Sequence, residues 1–175
     1  AGRDRSSVTG AGKGGIVRRP GRKTEADVSV ILISALIAGP MTAAPVAPLA
    51  VVVQAGPRSV PVGDSLRRTL LNTLRPSIED ELNQPVQFMV DQLKIQGDWA
   101  FYAGSVQRPD GRPIDFARAG FAEAIAEGVF DGPATYGLMH RVKGRWTVTV
   151  FVIGPTDVAY IGWPDEYGAP MSLFE

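Results

Sequence analysis

The sequence predicts an α+β fold, in which an N-terminal helix packs on an antiparallel sheet of two hairpins. An apolar stripe at helical spacing over residues 66–82 indicates the helix. Two strand pairs, each joined by a turn signal (Gly97-Asp98 and Lys143-Gly144), indicate the hairpins. With 175 residues, the chain is long enough for one domain with a substantial apolar core.

The first helix is predicted from an apolar residue at every fourth position. The stripe consists of Leu66, Leu70, Leu74, Ile78 and Leu82. Such spacing places the side chains on one helix face, and Asp64 or Ser65 can cap the N-terminus. Pro76 lies inside the run, and because proline lacks a backbone N–H, we expect a kink or the start of a second short helix there.

The first hairpin begins at Val86, where apolar and polar residues alternate, and it returns at Trp99. The alternation slips by one residue at Asp91-Gln92, which predicts a β-bulge. The second hairpin covers residues 134–142 and 145–153. Its last strand is predicted to be central and covered on both sides. One side of that strand is expected to carry Trp146, Val148, Val150 and Val152.

A second, short helix is predicted between the hairpins, over residues 116–127. Asp115 is its expected cap and Gly128 its expected end. The order helix, hairpin, helix, hairpin predicts an antiparallel sheet with the helices packed on one face. A roll-like arrangement of the cystatin-like or nuclear-transport-factor-like kind is compatible with this order.

Charge is unevenly divided along the chain, although the formal net charge is zero. Residues 1–55 contain seven basic and three acidic side chains, whereas residues 56–175 contain 11 basic and 15 acidic ones. The mildly acidic C-terminal part lacks the basic surface that nucleic-acid binding requires. We therefore expect no nucleic-acid partner.

Residues 1–55 predict a disordered basic segment followed by a signal-peptide-like leader. Residues 1–26 are rich in Gly, Ser, Arg and Lys and show no apolar periodicity. The eleven residues Val28–Ala38 have the length of a signal-peptide apolar region and are too short to span a bilayer. Small residues at Val53-Gln54-Ala55 suit a peptidase site. The mature chain is expected to be periplasmic or secreted.

Two alternatives stay open for this leader. Residues 28–55 carry no charge and are long enough to remain as a membrane anchor, provided that their prolines are tolerated. Alternatively, Met41 is the true start of translation.

After the leader, residues 56–63 are predicted to be a tether and residues 64–175 a single small α+β domain. Contact with a membrane is expected only through an uncleaved leader.

Chemistry-bearing residues are sparse. The chain has no cysteine and one histidine, which excludes disulfides, thiolate catalysis and Cys-ligated zinc. No segment has the ligand spacing of a calcium loop, so neither a metal nor a cofactor is expected. His140 shares a strand face with Tyr136 and Leu138, and a structural role is favoured over acid–base work because no partner residue can be identified.

Aromatic residues are the main binding candidates. After the turn Gly154-Pro-Thr-Asp157, Tyr160 and Trp163 either fold back over the sheet as a cover or present a binding surface. An aromatic surface with a nearby arginine suits glycan or peptide contacts. The complete candidate set is Trp99, Arg108, Tyr136, His140, Asp157, Tyr160 and Trp163.

Several short motifs resemble a group of short exported proteins from Gram-negative bacteria. The motifs are Leu70-Leu-Asn-Thr-Leu-Arg-Pro76, Gln84-Pro-Val-Gln-Phe88, Gly97-Asp-Trp-Ala-Phe101, Arg108-Pro-Asp-Gly111, Gly144-Arg-Trp146 and Gly154-Pro-Thr-Asp157. The resemblance spans residues 66–174. It implies a periplasmic location and assigns no catalytic residue.

Two hypotheses about function follow, beside a third option, a stability or assembly module with no ligand. The first is a non-enzymatic module that binds a cell-envelope partner, either a protein or a wall polymer. The second is a small-molecule-binding or weakly hydrolytic roll with a pocket between helix and sheet. The residues expected to line that pocket are Trp99, Phe101, Tyr136, His140 and Trp146.

Overall fold

A computed structural model describes residues 16–18 and 55–175. The strands are β1 (Ile16–Arg18), β2 (Arg58–Ser59), β3 (Gln87–Gln96), β4 (Trp99–Gln107), β5 (Ala134–Val142) and β6 (Arg145–Ile153). They form one antiparallel sheet in the order β1-β6-β5-β4-β3-β2. The helices are α1 (Ser65–Leu82), α2 (Ala122–Ala126) and α3 (Trp163–Tyr167). Helices and strands are both present, so the α+β class is confirmed.

Helix α1 begins at Asp64, whose carboxylate accepts a hydrogen bond from the Leu66 N–H at 2.8 Å. The buried side chains of α1 are Leu70, Leu74, Ile78 and Leu82, four of the five residues in the predicted stripe. Pro76 lies inside the helix without ending it, so the predicted start of a second helix at this position is wrong.

Two tight turns join the strands of the hairpins at the predicted positions. Gly97 has a positive φ of 58° between β3 and β4, and Lys143 and Gly144 have φ of 50° and 78° between β5 and β6. A positive φ at the first central residue, as at Gly97, or at both, as at Lys143 and Gly144, gives a turn whose twist matches that of two antiparallel strands. The bulge predicted at Asp91-Gln92 is present, because Val90 pairs with Gly104 while Gln92 pairs with Ala103.

A second bulge, which the sequence did not predict, interrupts β6. Leu138 pairs with Val150 and its neighbour Met139 pairs with Val148, which leaves Thr149 as the extra residue. A bulge reverses the facing of the residues that follow. The prediction that Trp146 shares a face with Val150 is therefore wrong: Trp146 packs on one side of the sheet and Val150 on the other.

The segment between the hairpins is less regular than the predicted helix over 116–127. Asp115 does cap it, because its carboxylate accepts from the Arg118 N–H at 3.0 Å. A π-helical turn, Ala117–Phe121, comes first and contains Gly120 at φ 99°. This left-handed residue interrupts the helix, and only the five residues of α2 are regular α-helix.

Apolar side chains pack on both faces of the sheet. Helix α1 covers the first face, together with Phe116, Phe121 and Phe130. Residues 160–174, called the C-terminal cover below, pack on the second face through Tyr160 and other residues. The expectation that helices cover one face only is wrong, since α3 belongs to this cover.

The N-terminal region is described only at residues 16–18. These residues form β1, which pairs with β6 through Ile16 and Ile153. The apolar segment Val28–Ala38 and the stretch up to residue 54 lie outside the described residues. No helix within the described part of the chain is long and apolar enough to cross a membrane.

Gly104 is required by the first bulge. A β-carbon at this position would overlap the carbonyl oxygen of Met89 and lie 2.8 Å from the Tyr102 hydroxyl. We expect Gly104→Ala to lower the free energy of unfolding by about 1–3 kcal/mol, the usual cost of overpacking. Urea denaturation of the full chain measures this change.

Gly162→Ala is the matched control for that variant. Gly162 has φ −82°, and a β-carbon there meets no atom within 4 Å. The control should therefore change stability by less than about 0.5 kcal/mol. A Gly104→Ala variant as stable as the Gly162→Ala variant would contradict the close approach of Met89.

Candidate functional site

A cleft of about 380 Å³ opens on the sheet face opposite α1, beside the C-terminal cover. Its lining is contributed by β3, β4, the segment before β5, the start of β5 and the cover. The lining residues are Asp91, Gln92, Phe101, Ala103, Gly104, Ser105, Asp131, Pro133, Ala134, Tyr136 and Tyr160. The volume lies within the range of roughly 300–1,000 Å³ that is typical of small-ligand sites.

Small side chains explain why the cleft exists at this place. Along the second face of the sheet, β4 carries the large Phe101 first and then Ala103 and Ser105, while β5 opens with Ala134. The C-terminal cover packs its rings over the Phe101 end of this surface. Beyond Tyr160 the short side chains fill little volume, so the surface is left as a depression.

The bulge in β3 brings a carboxylate to the rim of the cleft. Asp91 is the extra residue between Val90 and Gln92, and both Asp91 and Gln92 line the cleft. A regular strand would place two consecutive side chains on opposite faces, whereas a bulge redirects one of them. The register slip therefore determines on which side of the sheet the Asp91 side chain lies.

One wall of the cleft is aromatic. The Tyr160 ring lies 5.0 Å from the Phe101 ring and 5.0 Å from the Tyr136 ring, with interplanar angles of 60° and 66°. These edge-to-face contacts hold Tyr160 at the end of the cover. Phe101 is buried, whereas Tyr136 and Tyr160 are each partly exposed. The ring surface open to a ligand therefore belongs to the two tyrosines.

The electrostatic character of the cleft is negative. Asp91 and Asp131 are its only charged lining residues among those described, and neither takes part in a described ion pair. The pKa of the Tyr136 phenol is raised, first by burial and then by Tyr160, Asp91 and Asp131. Both carboxylates are thus close enough to act on the same tyrosine.

The predicted binding residues do not form one site in the structure. Tyr136 and Tyr160 come together in the cleft, and Trp163 packs behind them against Phe101. Of the two roles predicted for the tail aromatics, Trp163 therefore serves as a cover. Trp99 and His140 stack on each other at 4.1 Å and 13°, away from the cleft lining.

The two predicted polar contacts also lie outside the cleft lining. Arg108 donates a hydrogen bond to the Gln84 side chain at 3.2 Å, beyond the end of α1. The Asp157 carboxylate accepts from the neighbouring Val158 N–H at 2.7 Å, which stabilises the local turn. These contacts are structural, and the cleft does not use either residue.

The structure places most residues of the pocket predicted between helix and sheet on the face of the sheet opposite α1. On the α1 face, Leu74 packs against Gly137 so closely that a β-carbon there would lie 3.0 Å from a Leu74 methyl group. Four of the five residues proposed for that pocket lie on the opposite face, namely Trp99, Phe101, Tyr136 and His140. Trp146 alone packs on the α1 side.

The candidate set predicted from sequence omits Asp91, Ser105 and Asp131. The slip at Asp91-Gln92 was the signal that could have identified Asp91, because bulges frequently redirect side chains at functional sites. Asp131 and Ser105 lack such a signal, since they lie far apart in sequence; the pairing of β4 with β5, which Asp131 precedes, brings both to the cleft. No group of three or more His, Asp or Glu side chains within the described residues is arranged to hold a metal ion.

Comparisons with known proteins give no relative: no protein-family model, curated protein or solved structure matches the chain. The site is therefore characterised by its own geometry and charge.

Tyr102 lies directly beneath the cleft, and its ionisation makes the free energy of unfolding depend on pH. Its hydroxyl contacts the carbonyl oxygens of Ser105 and Met89 at 3.0 and 3.3 Å. Burial raises the pKa of Tyr102 strongly, and the Asp91 charge raises it further, while Arg67 opposes this effect.

Above pH of about 10, an unfolded tyrosine loses its proton before the folded Tyr102 does. The stability that Tyr102 contributes is therefore present below that pH and is lost as the pH rises. We expect the free energy of unfolding of the wild type to fall more steeply above pH 10 than that of Tyr102→Phe. Urea denaturation at pH of about 8 and about 10.5 measures both slopes. Equal slopes would contradict the buried, protonated state of Tyr102.

Proposed function

We propose that the chain is an exported, non-enzymatic binding module of roll-like α+β architecture, with a cell-envelope protein or wall polymer as its partner. The cleft is the proposed contact site. The single observation that carries this proposal is the meeting of two carboxylates and two partly exposed tyrosine rings in one concave surface. The leader pattern over residues 28–55 supports export.

The lining chemistry favours binding over catalysis. Nucleophilic catalysis needs a hydroxyl or thiol next to a base that can accept its proton. Ser105 provides the one aliphatic hydroxyl of the described lining, and no described hydrogen bond joins it to Asp91 or Asp131, the carboxylates that could act as bases. His140, the one histidine of the chain, stacks on Trp99 outside the lining. Aromatic rings and charged side chains around a depression are typical of recognition sites.

A small-molecule ligand is the second candidate. The cleft volume of about 380 Å³ favours it, because that space suits a compact ligand. This alternative retains the roll-like fold and moves the predicted pocket to the other face of the sheet. A weakly hydrolytic activity has no supporting geometry at the cleft.

The envelope-binding proposal is tested by filling the cleft. Ser105→Trp places a large ring on the cleft floor, and Gln107→Trp places the same ring two residues further along β4, outside the lining. We expect wild type and Gln107→Trp to bind sedimented cell-wall polymer or to capture the same partner from an envelope extract. Ser105→Trp should lose this binding because it fills the cleft. Absence of wild-type binding to both materials, or equal binding by all three chains, would contradict the proposal.

Export is tested separately by expressing the full chain in a Gram-negative host. We expect N-terminal sequencing of periplasmic protein to find a start near Gly56, because small residues precede this position. Processing there also removes β1 from the edge of β6. Recovery of a cytoplasmic chain that retains residues 1–40 would contradict the cleaved-leader interpretation.

A further inference from the structure

We propose that the cleft binds a positively charged organic headgroup of the ammonium or guanidinium type. This inference rests on the proposed binding function and specifies the chemistry of its ligand. It depends on three properties of the cleft: its unneutralised carboxylates, its tyrosine rings and its limited volume.

The carboxylates provide the charge. Asp91 comes from the bulge of β3 and Asp131 from the segment before β5, so they approach the cleft from different elements. Each is exposed, and the described ion pairs of the domain use other acids. Two uncompensated negative charges around one depression favour a cation and disfavour an anion.

The rings provide the second attraction. A cation over the face of a tyrosine ring is stabilised by the negative potential of the ring, by about 0.5–1 kcal/mol at an exposed site. Tyr160 is held at a fixed angle by Phe101 and Tyr136, and Tyr136 also lines the cleft. The rings therefore do not need to rearrange, which limits the entropic cost of binding.

Short side chains on the floor of the cleft leave room for a short stem behind the charge. The floor carries the methyl groups of Ala103 and Ala134 and the small hydroxyl of Ser105. A headgroup carried on a short aliphatic chain can lay its methylene groups on this floor while its charge meets the carboxylates. Free alkylamines and lysine or arginine side chains of a peptide share this chemistry.

The test measures dissociation constants by NMR titration of the full chain, followed at the backbone amides of the cleft. The first set of probes is n-pentylammonium, n-pentanol and pentanoate, which each have five carbon atoms and differ in charge. The second set is a capped tripeptide with central lysine and its norleucine analogue. We expect pentylammonium or the lysine peptide to bind, and their neutral and anionic counterparts to bind at least about tenfold more weakly. Tighter binding of the amine identifies a free small cation, and tighter binding of the peptide identifies a side chain.

Charge-removing variants test the assigned carboxylates. Asp91→Asn and Asp131→Asn should each weaken cation binding about fivefold, the size expected for a partly exposed ion pair. Asp80→Asn is the matched control, because Asp80 is an exposed acid on α1, on the other side of the sheet. Salt of about 0.5 M should weaken binding of the cation and leave the neutral probe unaffected.

Three results would overturn the inference. Pentanol or pentanoate could bind as tightly as pentylammonium, which would leave the cleft as a binding site of another chemistry. Both Asp→Asn variants could retain the wild-type affinity for the cation. The third such result is that neither probe set changes the NMR signals of the cleft amides. The envelope-binding proposal is then judged separately by the Ser105→Trp comparison.

Discussion

The close approach of β3 to β4 at Gly104 is the constraint on which the rest of the site depends. Because Gly104 has no side chain, the Met89 carbonyl and the Tyr102 hydroxyl can both lie against it. This contact accommodates the extra residue in β3, and the extra residue is Asp91. One missing β-carbon thus allows the bulge, the buried tyrosine hydrogen bonds and the carboxylate at the rim of the cleft.

The two faces of the sheet have different packing for a physical reason. On the α1 face, a leucine stripe meets closely packed strands, and Gly137 lets Leu74 approach the sheet. On the other face, the C-terminal cover packs large rings against Phe101 and ends at Tyr160. The small residues beyond that ring leave space for a ligand, so solid core and open cleft follow from side-chain size along the same two strands.

Local sequence signals predicted much of the framework. The four-residue apolar spacing predicted α1, turn chemistry predicted the two hairpin turns, and the slip at Asp91-Gln92 predicted the bulge. Errors arose where tertiary context decides. Thr149 forms a bulge within an apparently regular alternation, and Gly120 interrupts the second helix.

The cleft could be predicted only in part, because its residues meet through long-range pairing. Tyr136 and Tyr160 were predicted as binding residues and line it. Asp131 and Asp91 line the same cleft although 40 positions of sequence separate them, and neither position alone indicates a shared site. The cover packs on the face opposite α1 and leaves part of that face open as the cleft. No local pattern in the sequence specified on which face the cover packs.

The register of β3 against β4 tests the central claim most directly. Nuclear Overhauser effects between backbone protons of the isotopically labelled full chain report which residues face each other. The structure predicts cross-strand contacts from Val90 to Gly104 and from Gln92 to Ala103, with Asp91 left unpaired between them. An uninterrupted register, in which Asp91 faces its own partner on β4, would contradict the bulge and the orientation of the carboxylate that depends on it.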